Sequence, residues 1–395
     1  MSLSPRAAVL LLAASLAAVD LSAQRAPRAR DLGVPFEGTP GRENAITDVA
    51  GVTVGHTTII RGDGPLKVGE GPVRTGVTAV LPRGRDSMQK PSFAGWFSQN
   101  GNGEMTGTTW IEESGFLEGP VMITNTHSVG TVRDAVIKWR IKSGPPDASG
   151  YWWSLPVVAE TYDGVLNDIN GFHVKDDHVF AALDGAKGGA VPEGNVGGGT
   201  GMVAYGFKGG IGTSSRVLTV DGATYTVGVL VQANFGRRPQ LTIAGVPVGK
   251  EIPQPPAQAA MLQDDATRGD LGSIIIVVAT DAPLLPHQLK RLARRATLGM
   301  ARTGGLSGNG SGDIFLAFST ANPDAFKPSG LAAVQMVSNE QISAIFDGTA
   351  WATEEAIVNA MVAAETMTGV NGRRVERLPH DQLRDVLRKY NRLAR

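Results

Sequence analysis

Six consecutive apolar side chains, Ile274-Ile275-Ile276-Val277-Val278-Ala279, restrict this chain more than any other feature of its sequence. β-branched residues suit a pleated strand, and a short run with no polar position reads as a strand buried in the interior of a sheet. Directly before it stands Gly272-Ser273, a small nucleophile at the lip of the strand. The preceding stretch, from Gln254-Pro255-Pro256 to Arg268-Gly269-Asp270, is polar, has no apolar period and has the character of a connection that leads up to a cut. Self-cleavage between Gly272 and Ser273 is therefore expected. A serine hydroxyl needs an adjacent base, and the α-amine freed by such a cut, with a pKa of about 8, can supply one on the same residue, with the Ser311 and Asp313 pair as the other candidate. Glycine at the position before the cut tolerates a twisted backbone. The other reading, a plain turn before a core strand, stays open at this point.

The surroundings narrow the choice. The chain has 395 residues, 42% of them hydrophobic, enough for a large core in one or two domains. Lys+Arg and Asp+Glu balance at 37 each, so no overall field favours nucleic acid or an anionic membrane, and a small or neutral substrate fits better. There is no cysteine, which excludes a thiolate nucleophile and disulfides. The basic start at Arg6, the apolar stretch from Ala7 to Val19 and the small residues Ser22-Ala23 have the layout of a secretory signal peptide over residues 1–23, too short to span a bilayer. An exported mature protein follows, periplasmic or extracellular.

Short apolar runs bounded by glycine or proline predict strands at 52–54, 76–81, 120–124, 225–231 and 314–318. Helices are predicted from Ser128 as cap to Trp139, from Pro286 with Leu289, Leu292, Ala293 and Ala296 on one face, over 350–367, and over 379–393 with Leu383, Val386, Leu387 and Tyr390 inward. The class is mixed α and β, with sheets covered by helices.

Three places carry candidate chemistry. The loop Gly304-Gly305-Leu306-Ser307-Gly308-Asn309-Gly310-Ser311-Gly312-Asp313 precedes a buried strand, and the two-residue spacing of Ser311 and Asp313 in an extended segment puts both on one side. It is no phosphate cradle, because neither a Gly-Lys-Ser/Thr nor a strand, Gly-x-Gly-x-x-Gly, helix order is present. Asn234 ends an apolar strand, where its amide could donate to an oxyanion. Glu160 and Tyr162, also two apart, follow the apolar start Pro156-Val157-Val158-Ala159, and a carboxylate there could hold a substrate ammonium, although an exposed strand-end acid is the commoner fate. The six histidines form no metal motif, and no Gly-x-Ser-x-Gly elbow is present. No metal or cofactor is called for.

Taken together, the chain resembles the self-processing serine aminopeptidases of the D-aminopeptidase and β-peptidyl aminopeptidase family. The resemblance is carried by Asn44-Ala45-Ile46-Thr47-Asp48-Val49, Val52 to His56, Thr75 to Thr78, Pro156 to Gly164, Gly197 to Tyr205, Gln232-Ala233-Asn234-Phe235-Gly236, Gly272 to Leu289 and Ser311-Gly312-Asp313-Ile314. It implies an α/β (α+β) fold, an αββα four-layer sandwich of the N-terminal-nucleophile kind shared with ornithine acetyltransferases. It also implies a single catalytic domain cut into an α subunit, 24–272, and a β subunit, 273–395.

Residue by residue, the resemblance makes Ser273 the nucleophile, Asn234 the oxyanion donor, Ser311 and Asp313 the hydroxyl and acid beside the nucleophile, Glu160 the anchor of the substrate's amino group and Tyr162 an aromatic wall that can assist the oxyanion. Asp313 stands where some members have a longer glutamate. The expected substrates are short peptides or amino-acid amides and esters, and the expected association is of several αβ units, with no nucleic acid or membrane partner. Two other readings remain at this stage: an uncleaved exported small-ligand binding protein, and an acyltransferase or amide-oligomer hydrolase on the same fold.

Overall fold

The computed structural model describes residues 26–146, 149–256 and 272–394. The leader at 1–23 and most of the connection before Gly272, with its Arg-Gly-Asp, lie outside the described residues.

Two sheets face each other. The first has four strands in the order β1-β2-β5-β6, with β1 Thr53–Arg61, β2 Val73–Arg85, β5 Val121–Asn125 and β6 Val157–Thr161. The second has six, β4-β3-β12-β11-β10-β9, with β3 Ser92–Ser98, β4 Phe116–Leu117, β9 Gly210–Val220, β10 Ala223–Asn234, β11 Ser273–Thr280 and β12 Ile314–Ser319. The short strands β7 Val203–Ala204 and β8 Phe207–Lys208 pair as a hairpin, and its Ala204 and Phe207 pack into the apolar layer on the outer face of the six-stranded sheet.

The apolar run at 274–279 is the centre of the second sheet, and its composition follows from that place. Ile274, Ile276 and Val278 pack into the layer that holds helices α4 Pro286–Arg302, α5 Ser343–Val362 and α6 His380–Lys389. Ile275, Val277 and Ala279 point the other way, into the layer between the sheets with Val80, Ile123 and Ala159. Both faces are covered, so no position can be polar. A third apolar layer lies beyond the four-stranded sheet, where α2 Val129–Ser143 and α3 Asp176–Asp184 supply Val132, Val136, Trp139, Val179 and Leu183, while the short α1 Thr108–Ser114 packs beside β3. The result is the expected αββα sandwich. Each fully buried Ile or Val contributes about 1.5–3 kcal/mol of transfer free energy.

Several expectations shift. The helix expected at 350–367 is α5, Ser343–Val362, which starts and ends earlier. It is buried on nearly every face, so no amphipathic edge marks its limits, and Met367–Thr368 leaves to pair with Arg374–Val375. The last helix runs only over His380–Lys389, and Tyr390 lies outside it and is exposed, its hydroxyl donating to Glu251. Ser128 does not cap α2 with its side chain: its own N–H is held by Asn125 Oδ1 at 2.9 Å, at the preceding single helical turn.

Candidate active site

The register of the second sheet assembles the first part of the site. Asn234 ends β10 directly opposite Ser273, the first residue of the antiparallel β11. Paired residues share a face, and the alternation along β11 puts both on the side that looks toward the four-stranded sheet. Ser273 is 6% exposed and Asn234 is buried. Asn234 Oδ1 accepts from Val203 N at 2.8 Å, which fixes the amide and leaves the Nδ2 end as the donor.

β12 runs parallel to β11, so the loop ahead of it arrives at the same end of the sheet. Ser311 Oγ lies 2.7 Å from Asp313 Oδ1 and donates to the carbonyl oxygen of Gly272. With one hydrogen and two acceptors, this hydroxyl can serve either the acid or the carbonyl before Ser273. Gly312 N donates to Ser273 Oγ at 3.2 Å, and Asp313 Oδ1 also accepts from Ile274 N at 3.2 Å. Ser273, Gly272, Ser311 and Asp313 are therefore in one hydrogen-bonded group, and the spacing read from the sequence is realised.

A steric demand also selects glycine at 272. A Cβ at 272 would lie 2.7 Å from Phe235 Cα and 2.8 Å from Asn234 O, so any side chain would push the residue away from the end of β10.

Glu160, contrary to the common fate of a strand-end acid, is 3% exposed. Its Oε1 accepts from Glu104 N at 3.0 Å and its Oε2 from Thr126 Oγ1 at 2.5 Å. Burial raises its pKa, and the two hydrogen bonds offset part of that rise. Gly103 lies between Glu160 and the Ser311 loop: a Cβ there would be 2.9 Å from Gly312 Cα and 3.2 Å from Glu160 Oε1. Tyr162, half-buried, leaves the end of β6 with its ring folded over Gly164, where a Cβ would come 2.3 Å from its hydroxyl oxygen.

Residues not singled out from the sequence hold the site in place. Asn100 Oδ1 accepts from Asp313 N at 2.7 Å while its Nδ2 donates to Gly308 O at 2.8 Å, and Asn102 Nδ2 donates to Gly310 O at 2.7 Å. Gln99-Asn100-Gly101-Asn102-Gly103 is a clear loop signal, and that composition was the only hint of this clamp. Below Tyr162, the buried Asp163 accepts from Asn125 and Asn167, each at 3.0 Å, and burial raises its pKa to about 6.

Among the described residues no group of His, Asp and Glu has the geometry of a metal site. A cavity of about 460 Å³ lined by Trp110, Trp139 and Trp153 among others includes none of the residues above.

Comparison with known proteins gives the family and the fold. Residues 44–375 match the model of Peptidase family S58. The "Beta-peptidyl aminopeptidase BapA" of Sphingosinicella microcystinivorans is 58% identical over 376 residues, 93% of this chain and 93% of that protein. The protein of the same name from Sphingosinicella xenopeptidilytica is 52% identical over 385 residues, 96% of this chain and 95% of its own. Among solved structures, the L-aminopeptidase D-Ala-esterase/amidase of Ochrobactrum anthropi, described as a prototype for the serine aminopeptidases and a variant of the Ntn hydrolase fold, superposes with a TM-score of 0.85. It is 51% identical, with 93% of this chain and 100% of that one covered.

Proposed function

This chain belongs to peptidase family S58, and from that premise we propose that it is a self-cleaving serine aminopeptidase in which Ser273 is the nucleophile for both its own cleavage and its substrates. The observation that carries the assignment is the Ser311 hydroxyl on the Gly272 carbonyl oxygen, with Gly312 N on Ser273 Oγ.

In the first reaction Ser273 Oγ attacks the Gly272 carbonyl carbon, the Gly272–Ser273 C–N bond breaks as the ester forms, and water hydrolyses the ester. This frees the Gly272 carboxylate and the Ser273 α-amine. Ser311 donates to the carbonyl oxygen as its charge grows. The products are an α subunit ending at Gly272 and a β subunit beginning at Ser273.

In the second reaction the substrate's ammonium rests on Glu160, and Ser273 Oγ attacks the first carbonyl while its proton passes to the new α-amine. Asn234 Nδ2 faces the oxyanion, with Tyr162 as a wall beside it, the amine product leaves, and water releases the amino acid. Anchoring of the free amino group makes the enzyme an exopeptidase. Substrates are short peptides and amino-acid amides or esters. The printed names of the two relatives above half identity support N-terminal β-amino acids among them.

The mature enzyme is exported after removal of residues 1–23, a reading supported by the basic start and apolar stretch of that segment. Self-association of αβ units is supported by the segment Phe326 to Met336, in which every residue is exposed and Leu331 reaches 94%. No helix among the described residues is long and apolar enough to cross a membrane.

The decisive experiment is intact-mass and peptide-map spectrometry of the purified protein. Two fragments meeting at 272/273 are expected, and an active, uncut chain would overturn the assignment.

A further inference from the structure

Gln232 stands in the apolar layer between the sheets, fully buried, two residues before Asn234 and on the same face of β10. Its Nε2 reaches across to the other sheet, donating to Thr124 O on β5 at 3.0 Å and to Thr161 Oγ1 on β6 at 2.8 Å. Thr161 directly follows Glu160, and its hydroxyl donates to Met202 Sδ at 2.8 Å. The next residue, Val203, gives its N–H to Asn234 Oδ1. The chain of contacts thus begins and ends on β10, at Gln232 and Asn234, and passes through the neighbour of the buried carboxylate.

A leucine would fill such a layer at no polar penalty, as Leu230 does one step back on the same face. The amide is present even though its Oε1 has no hydrogen-bond partner among the described residues. That oxygen fits only because residue 198 is glycine, where a Cβ would come within 2.2 Å of it. Burial of a half-satisfied amide is destabilising, so its benefit must be sought elsewhere.

We propose that Gln232 is a positioning residue that sets the distance between the Glu160 carboxylate and the Ser273–Asn234 pair. In doing so it selects how many backbone carbons separate the ammonium of the substrate from the carbonyl that is attacked. This rests on Glu160 as ammonium anchor and Ser273 as nucleophile. A β-amino acid has one more carbon in that span than an α-amino acid, a difference on the order of 1 Å, and a misplacement of that size changes rates by about a hundredfold.

The test compares kcat/KM for an α-amino-acid anilide and its β-homologue in the self-cleaved parent, Gln232→Leu, Thr161→Val and the double variant. The preference between the two anilides should move by about tenfold or more in each single variant. The double variant should add little, because both changes break one link. An unchanged preference in single variants that fold and self-cleave would overturn the proposal, as would an equal fall on both anilides together with a lower Tm, the mark of a purely structural role. If Gln232→Leu does not fold, Thr161→Val decides alone, since it removes one hydroxyl at nearly constant shape. A parent that hydrolyses neither anilide, or a Glu160→Gln variant with an unaltered KM for both, would instead refute the reading of the site on which the proposal rests.

Discussion

The hydroxyl of Ser311 donates to the carbonyl oxygen of Gly272 while standing 2.7 Å from Asp313 Oδ1. In the uncut chain the hydroxyl on the carbonyl before Ser273 thus belongs to the same loop whose Gly312 N–H holds Ser273 Oγ. The sequence spacing of Ser311 and Asp313 pairs them, and the parallel placement of β12 beside β11 brings both to Gly272.

Removal of that hydroxyl should slow self-cleavage. A lost oxyanion donor typically lowers a rate by about 10²–10³. Ser311→Ala should therefore accumulate full-length chain on a gel time course, whereas Ser273→Ala should remain uncut indefinitely and show no amidase activity. Cleavage of Ser311→Ala at the parental rate would remove Ser311 from the first reaction.

The close passage of Gly103 and Gly312 leaves no room for a methyl group. A Cβ on Gly312 would lie 2.5 Å from Asn102 O and 2.6 Å from Gly103 Cα, both backbone atoms that cannot swing aside. Gly312→Ala should displace the N–H that holds Ser273 Oγ and lower thermal stability by about 1–3 kcal/mol, as overpacking does. Self-cleavage and turnover should fall together, measured by fragment ratio and anilide hydrolysis. A variant with parental turnover would show that the loop can move away without consequence.

Glu160→Gln should separate binding from chemistry. A charge-assisted hydrogen bond to the substrate's ammonium contributes about 1.5–3 kcal/mol, so KM for amino-acid amides should rise by roughly ten- to a hundredfold. Esters without an amino group should be turned over at the parental rate. Burial raises the Glu160 pKa, so its charge is lost, as pH falls, at a higher pH than for an exposed glutamate. The acid limb of kcat/KM in the parent should accordingly lie above the usual carboxylate range and disappear in Glu160→Gln. A limb that persists in the variant would assign it to another group.

What the sequence made legible was of two kinds: runs whose composition admits one environment, and residues two apart on one strand. Ile274 to Ala279 could only be a buried strand, and Ser311 with Asp313 could be paired without knowing the fold. Contacts between distant loops carry no such periodic mark. Asn100 and Asn102 clamp the Ser311 loop from the end of β3, some two hundred positions away, and Thr126 and the Glu104 N–H hold Glu160 from two further segments. For Glu160, strand position alone left the ammonium anchor beside the commoner exposed acid, and its burial shows only once these donors are placed. Helix limits failed where burial hid amphipathicity, as in α5, and the cap of α2 passed to Asn125 because a helical turn precedes it.

Lys208 lies fully buried on β8, with carbonyls rather than a carboxylate around its amine: Nζ donates to Gly209 O at 2.9 Å and Gly199 O at 3.4 Å. Two carbonyls match the two hydrogens of a neutral amine, and burial lowers its pKa to about 7 from the ordinary 10.5. Between these values the unfolded chain holds a proton that the folded chain does not, so the stability of the parent should rise as pH climbs from about 7 toward 10.5. Below pH 7 the lysine is charged in both states and the buried charge is destabilising. Lys208→Met, close in shape and without a charge, should therefore be most stabilising relative to the parent below pH 7. Its advantage should shrink at alkaline pH by an amount on the order of a few kcal/mol. Urea unfolding of both proteins at pH 6 and pH 9.5 measures this directly, and a difference that does not change with pH would mean that Lys208 keeps its proton throughout.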